Sequence, residues 1–298
     1  MAAQIDAGRL MRRAIAHWVS SLPVATISTR SASICAAIAE VGTASAALEL
    51  IENPYAELAQ FSWDRIVERH GHLAAIREAM LVLEGLPAAT RYALVTKLSD
   101  TLSQFVVARN WLSADRAGRI ASEARDRSTV HIAAGAEGTE MENLVRHLRA
   151  TGHLTAGLIL RTLLSGNLDL FHCALSELSG MPLARVSALL HDRGRASLQA
   201  LLIKAGLPES TFAAFQVAID VGQEMGFAGS DGAAARLRRR MVERVLTHCE
   251  TDGRSAEPLL ILLRRFATES AREEARLFCE ELVAEDAIMP EHDDLIAA

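Results

Sequence analysis

Apolar residues recur at intervals of three and four along nearly the whole chain, without convincing two-residue alternation. That period belongs to amphipathic helices and not to half-buried strands. A first helix fits residues 6–20, with Leu10, Met11, Ile15, Trp18 and Val19 on one face and Pro23 closing the element. Two short Ala-rich helices follow at about 31–41 and 44–52, stopped by Asn53-Pro54. A pair at 62–70 and 73–83 precedes a long helix over 87–109. Ser113 stands where the next helix needs an N-cap, and that helix should fray near Gly135-Ala-Glu-Gly138. Closely spaced helices are predicted over 140–150, 155–164, 168–178, 182–191, 196–205 and 208–225. The run Gly226-Phe-Ala-Gly-Ser-Asp-Gly232 has linker composition, and two more helices are predicted beyond it, over 233–250 and 257–283. The fold class is all-α. The breaks give an N-terminal segment 1–136, a central segment 137–227, C-terminal helices 228–286 and an acidic tail 287–298, expected to be mobile.

The most specific internal signal is a recurring corner. Gly85-Leu86-Pro87, Gly180-Met181-Pro182 and Gly206-Leu207-Pro208 each place Ala plus a large apolar residue six and seven positions after the proline. Glycine suits the left-handed residue that ends a helix, and the apolar residue after it packs back on that helix. Proline suits the first position of the next helix, where a missing N–H costs nothing. Around the second and third corners the likeness extends without gaps at an offset of 26, as in Ala174-Leu175 against Ala200-Leu201. Recurring helix pairs of this kind imply an α-α superhelix or stacked helical hairpins.

Three stretches carry a resemblance. They are Leu154-Thr-Ala-Gly-Leu-Ile-Leu-Arg-Thr-Leu-Leu-Ser-Gly-Asn-Leu-Asp-Leu-Phe171, Ala174-Leu-Ser-Glu-Leu-Ser-Gly-Met-Pro-Leu-Ala-Arg-Val186 and Leu201-Leu-Ile-Lys-Ala-Gly-Leu-Pro208. Together they resemble a family of uncharacterised, all-helical bacterial proteins, mainly alphaproteobacterial, over about residues 150–226. The resemblance implies a HEAT-like helical fold and supplies no catalytic residue.

Composition narrows the function classes. Half of the residues are hydrophobic, aromatic residues make up only 4%, and Ala, Leu, Arg and Glu, all good helix formers, dominate. Net charge is −6, the wrong sign for a general nucleic-acid binder, so nucleic acid is disfavoured as a partner. Cys35, Cys173, Cys249 and Cys279 show no ligand spacing and read as reduced, buried small hydrophobes. The N-terminus lacks the order of a signal peptide, and no apolar stretch approaches the length of a membrane span. A cytoplasmic protein without membrane contact is expected.

Candidate chemistry is sparse. His191-Asp192, at the end of an apolar helix, is similar to the metal centre of HD-type phosphohydrolases, in which a metal activates water for attack on a phosphate ester. His153 or His172 upstream and Asp220 downstream would have to complete it, and the surrounding pattern departs from that family: no second histidine pair lies on the intervening helices, and an arginine follows the dyad directly. The offset repeat sets Ser165-Gly166 against His191-Asp192, which makes the dyad a helix end where a histidine meets the dipole. His70-Gly-His72 marks another helix end, and His147 sits among arginines as a candidate phosphoryl acceptor or an ordinary surface histidine. Arg236, Arg239, Arg240 and Arg244 form the one dense basic cluster, a candidate anion- or partner-binding patch, with Glu243 and the glutamates from 269 to 281 offering partners within the chain. No cofactor or metal is implied. The expected function is non-enzymatic: a scaffold presenting helical surfaces to an unidentified protein partner. The alternatives are the phosphohydrolase and an anion or nucleic-acid binder using residues 236–244. A homodimer through Ala32, Ala36, Ala37, Ala39, Ala44, Ala46 and Ala47 stays open beside internal packing of the same residues.

Overall fold

A computed structural model describes residues 32–191, 194–225, 231–252 and 256–288. The expected helix at 6–20, Asp192, most of the glycine-rich linker and the end of the acidic tail lie outside the described residues. Fourteen α-helices and no strand occur among those described. The chain divides into two units at Leu144/Val145.

Unit one begins with α1 (Ala32–Val41), α2 (Ala44–Glu52), α3 (Gln60–His70) and α4 (Ala74–Leu81). Neighbours α1 and α2 touch, while α1 packs on α3 and α2 on α4, so alternate helices stack. Their shared core comprises Cys35, Ile38, Ala39, Ala46, Ala47, Leu50, Ile66, Ile76 and Met80. Thus Ala39, Ala46 and Ala47 serve internal packing, while Ala32, Ala36, Ala37 and Ala44 are not buried. Arg69 ties α3 to the end of α1 by donating to the carbonyls of Ala39 (2.9 Å) and Gly42 (2.8 Å). That bonding satisfies carbonyls a helix end leaves orphaned.

The unit continues into two long helices, α5 (Ala88–Ala108) and α6 (Ala114–Ala133), packed as a hairpin. α5 rests on α3 only near its start, where Ala88, Ala89, Tyr92 and Leu94 are buried. The far half of α5 buries nothing, and α6 there buries only Ala117 and Ala121. Ser113 caps α6 as expected, its hydroxyl accepting from the Arg116 N–H at 3.4 Å. α7 (Gly138–Ala150) straddles the division between units. Its Glu140 carboxylate accepts from the Ala88 N–H at 2.7 Å and so caps α5 from a distance.

Unit two holds α8 (Ala156–Leu164), α9 (Leu168–Ser179), α10 (Leu183–His191), α11 (Arg195–Lys204), a 3-10 turn (Glu209–Thr211), α12 (Phe212–Met225), α13 (Asp231–Asp252) and α14 (Glu257–Ile288). Every residue from Leu158 to Leu164 is buried, so α8 is the central helix, and α9, α12 and α13 pack on it. Phe171 stacks on Phe215 inside this core, centroids 6.1 Å apart. α13 and α14 pair along their length and close the unit through Met241, Val245, Cys249, Leu263 and Phe266.

The corners differ from expectation in two respects. Gly180 (φ 66°) and Gly206 (φ 72°) are left-handed, but Gly85 is not. Helix α4 has already ended at Leu81, so Gly85 lies in a loop and terminates nothing. At Gly206 both bonds of a Schellman motif form, Leu207 N–H to Leu202 O (3.1 Å) and Gly206 N–H to Ile203 O (2.9 Å). The three prolines stand one position earlier than expected. Pro87, Pro182 and Pro208 are N-caps, and their carbonyls accept from Arg91, Val186 and Thr211. Extended ψ values of 142° at Pro87 and 134° at Pro208 keep them outside the helices.

The structure also exposes a ladder that the 26-residue offset conceals. Glycines 138, 152, 166 and 180 recur at every fourteenth residue and all have positive φ. Gly152 and Gly166 each close a helix with a Schellman pair, His153 N–H to Leu148 O and Asn167 N–H to Thr162 O. Gly194 continues the spacing but has φ −75° and caps α11 instead.

Candidate functional site

The basic cluster on α13 meets the acidic face of α14. Arg239 donates to Glu243 (2.7 Å) and Glu274 (2.8 Å), Arg236 lies 3.7 Å from Glu281, and Arg244 pairs with Glu224 at 2.8 Å. The two carboxylates beside Arg239 push its pKa up, so it stays cationic throughout. Arg240 alone of the four has no carboxylate partner among the described residues. Between the helices lies a shallow groove of about 210 Å³ lined by Arg236, Arg239, Ala271, Glu274, Phe278 and Glu281. Its cations are already neutralised, which leaves little field for an outside anion.

A buried arginine holds this hairpin in place. Arg161, only 6% exposed on α8, donates Nη1 to both carboxylate oxygens of Glu269 on α14, at 2.8 and 2.9 Å. Its guanidinium lies 4.2 Å over the Phe266 ring. A buried charge is tolerable only when paired and hydrogen-bonded, and this one has both a carboxylate and an aromatic face. Arg161 is not among the residues singled out for chemistry in the sequence. The signal was there, because an arginine inside the run Leu158-Ile-Leu-Arg-Thr-Leu-Leu164 has no polar face to point from.

His172 and His191 come within electrostatic range of each other but gather no set of three ligands among the described residues. His191 Nδ1 lies 2.8 Å from the Ser187 carbonyl of its own helix, a helix-end contact, and its side chain is exposed. His172 on α9 is half-buried, and burial pushes its pKa down. Asp220 accepts from Gln216 at 2.9 Å. Among the described residues no three His, Cys, Asp or Glu side chains gather at ligand distance. His70 Nε2 lies 3.4 Å from the Gly42 carbonyl, beside Arg69, and burial lowers its pKa first, the Arg69 charge second. His147 is half-buried on α7. None of the four cysteines is in a disulfide. Cys35 and Cys249 are buried as expected, whereas Cys173 is half-buried and Cys279 is exposed on α14, against the expectation. No described helix is long and apolar enough to cross a membrane.

The sequence pattern did not single out the far end of the α5–α6 hairpin as an exposed apolar region. Leu102, Phe105, Trp111 and Ile120 are all exposed there. Asn110 takes the left-handed conformation (φ 56°) that glycine takes elsewhere, and the Trp111 N–H reaches Val106 O (3.0 Å) while the Asn110 N–H reaches Val107 O (2.9 Å). This is a Schellman turn with asparagine in place of glycine. It sets the Trp111 ring edge-on to Phe105, centroids 5.6 Å apart, and Arg109 covers the same Phe105 ring at 5.1 Å.

Neither a curated protein nor a solved structure matches the chain. Residues 22–254 match a family described as uncharacterised protein conserved in bacteria, DUF2336. The match extends well beyond the 150–226 stretch that carried the resemblance and takes in most of both units. Because that match covers most of its length, the chain belongs to the DUF2336 family of bacterial proteins.

Proposed function

We propose that this protein is a non-enzymatic interaction scaffold, whose stacked helices, HEAT-like in that alternate members pack, present side chains to a protein partner in the cytoplasm. One observation carries the reading: Phe105 and Trp111 lie edge to face and exposed where α5 ends, with Leu102 on α5 and Ile120 on α6 exposed as well. Large contiguous apolar surface at one place marks an interaction site more often than scattered single residues do. The remaining polar chemistry is spent on structure, as in Arg161–Glu269 and Arg239–Glu274.

The test is cross-linking and affinity capture of the full-length protein in its native bacterium. A double variant, Leu102→Glu with Ile120→Glu, keeps the fold, since both side chains are exposed. The reading expects a stoichiometric partner with the wild type and at least a tenfold loss with the variant. Recovery of no protein above an inert helical control would end it.

A further inference from the structure

From the α5–α6 hairpin end we infer that its occupant is an acidic amphipathic helix of a partner protein, anchored on Phe105 and Trp111 and steered by Arg109, Arg116 and Arg119. This deepens the scaffold reading and rests on it.

The argument starts with charge. Between residues 102 and 120 the sequence has three arginines and one acid, Asp115, in a chain whose net charge is −6. Arg116 and Arg119 are exposed at the start of α6 and form no ion pair among the described residues. Arg109 touches only the Phe105 face among the contacts described. Some arginines elsewhere are matched, Arg125 by Asp100, Arg149 by Glu177, Arg161 by Glu269 and Arg239 by Glu243 and Glu274, while Arg240 is not; the hairpin end differs in combining its arginines with exposed aromatic rings. An uncompensated cationic end on an anionic protein selects for negative charge opposite it.

Geometry supplies the apolar half. In a Schellman turn the residue after the left-handed position packs on the last helical turn, and here Trp111 does so against Phe105. A capping contact of that kind needs no exposed ring. Yet Trp111 remains 65% and Phe105 44% exposed, fixed at right angles with Arg109 stacked alongside. Trp and Arg held in one conformation are the side chains that dominate binding energy at protein interfaces, because little entropy is lost on docking. Leu102 lies one turn before Phe105 on α5, and Ile120 extends the apolar surface along α6. A partner helix with apolar residues at three- and four-residue spacing and glutamates along its flanks matches this surface.

Two other occupants fit less well. Anionic membrane surfaces are held by clusters of about four to eight basic residues, and the hairpin end has three, offset by Asp115. A second copy meeting the same end would oppose arginine to arginine.

The experiment places a photo-activatable phenylalanine analogue at Gln104, exposed on α5, of the full-length protein, and at Ile203, exposed on α11, as a control site. After irradiation in cells the cross-linked peptide is sequenced by mass spectrometry. The expected product at Gln104 is a peptide of net negative charge with helical apolar spacing. Arg116→Glu with Arg119→Glu, and separately Trp111→Ala, each reduce its yield at least tenfold, while Arg264→Glu on the charge-matched hairpin leaves it unchanged. Arg116→Gln with Arg119→Gln serves if charge reversal alters the melting midpoint. A lipid adduct, a cross-link to a second copy, a basic peptide, or a yield indifferent to Arg116 and Arg119 overturns the assignment. Cross-linking only at Ile203 overturns it while leaving the scaffold reading intact. Silence at both sites ends both.

Discussion

Two long helical hairpins of this protein have similar ingredients and opposite uses. Both α5–α6 and α13–α14 pair antiparallel helices rich in arginine and alanine. In α13–α14 the apolar stripe, including Met241, Val245, Leu263 and Phe266, is buried against α8 and α12, and Arg239 and Arg264 meet glutamates. In α5–α6 burial stops after Leu94 on one helix, and the arginines at the far end meet no carboxylate. The difference shows that density of like charge along a sequence is a poor guide to exposed potential. What matters is whether the fold brings counter-charge to it, and the cluster at 236–244 is compensated where the sparser one at 109–119 is not.

The largest expected effect tests whether α13–α14 is anchored as described. Glu269→Ala strands the Arg161 guanidinium in the core, and breaking one partner of a buried pair costs about 3–5 kcal/mol, with the lower end expected because Glu269 retains some exposure. Urea unfolding of the full chain reads it. Replacing both partners together, Arg161→Met with Glu269→Leu, should recover most of the loss, since no charge is then left buried. A single variant no worse than the double would show that the pair is incidental.

Next in size comes the contrast in side-chain burial along α5. Leu94→Ala, at a site only 1% exposed, should cost about 3 kcal/mol. Leu102→Ala and Ile120→Ala should each stay within about 0.5 kcal/mol, as exposed positions do. Equal losses at Leu94 and Leu102 would mean that the far half of the hairpin is packed and the comparison fails.

Much of this fold was legible from the hydrophobic period. The helix at 44–52, the Ser113 cap and the Gly206 corner follow from local rules, because propensity, capping and left-handed glycine act over a few residues. The candidate site was not legible in the same way. Phe105 and Trp111 are side chains that cores commonly take, and their exposure is visible only in the fold. The cluster at Arg236 and Arg239 was more legible: the sequence offered Glu243 and the glutamates from 269 to 281 as partners, and Glu243, Glu274 and Glu281 are the ones it meets, the last two about 35 to 45 residues away on α14. The N-cap of α5 is likewise supplied from 52 residues away, by Glu140.

A smaller effect is set by pH. His172 in unit two and His70 in unit one both have pKa values lowered mainly by burial, so the folded protein binds fewer protons than the unfolded chain. Their contribution is complete above the unfolded imidazole value of about 6.5, and it is lost as pH falls from there through the lower folded values. Unfolding midpoints measured between pH 7.5 and 5 should therefore drop on acidification. His172→Gln should flatten part of that drop and His70→Gln another part, since the two histidines lie in different units. A midpoint that rises on acidification would contradict the burial of both rings.

The smallest effect separates the corner that leads into the α5–α6 hairpin from those of unit two. Gly180→Ala and Gly206→Ala place a Cβ on left-handed backbone and should cost about 1 kcal/mol each. Gly85→Ala meets neither obstacle: its φ is not left-handed, and no atom lies within 4 Å of the added carbon. There the substitution acts only on the unfolded chain, whose freedom it reduces, and a gain of up to about 0.5 kcal/mol is expected. The corner before α5 thus resembles the others in residue type and differs in mechanics, because the cap at Ala88 comes from Glu140 and not from a tightly wound end of α4. Glu140→Gln, which keeps the acceptor but removes its charge, should weaken that corner more than Gly85→Ala does. The reverse order would mean that Gly85, and not the distant carboxylate, sets the angle at which the hairpin leaves unit one's core.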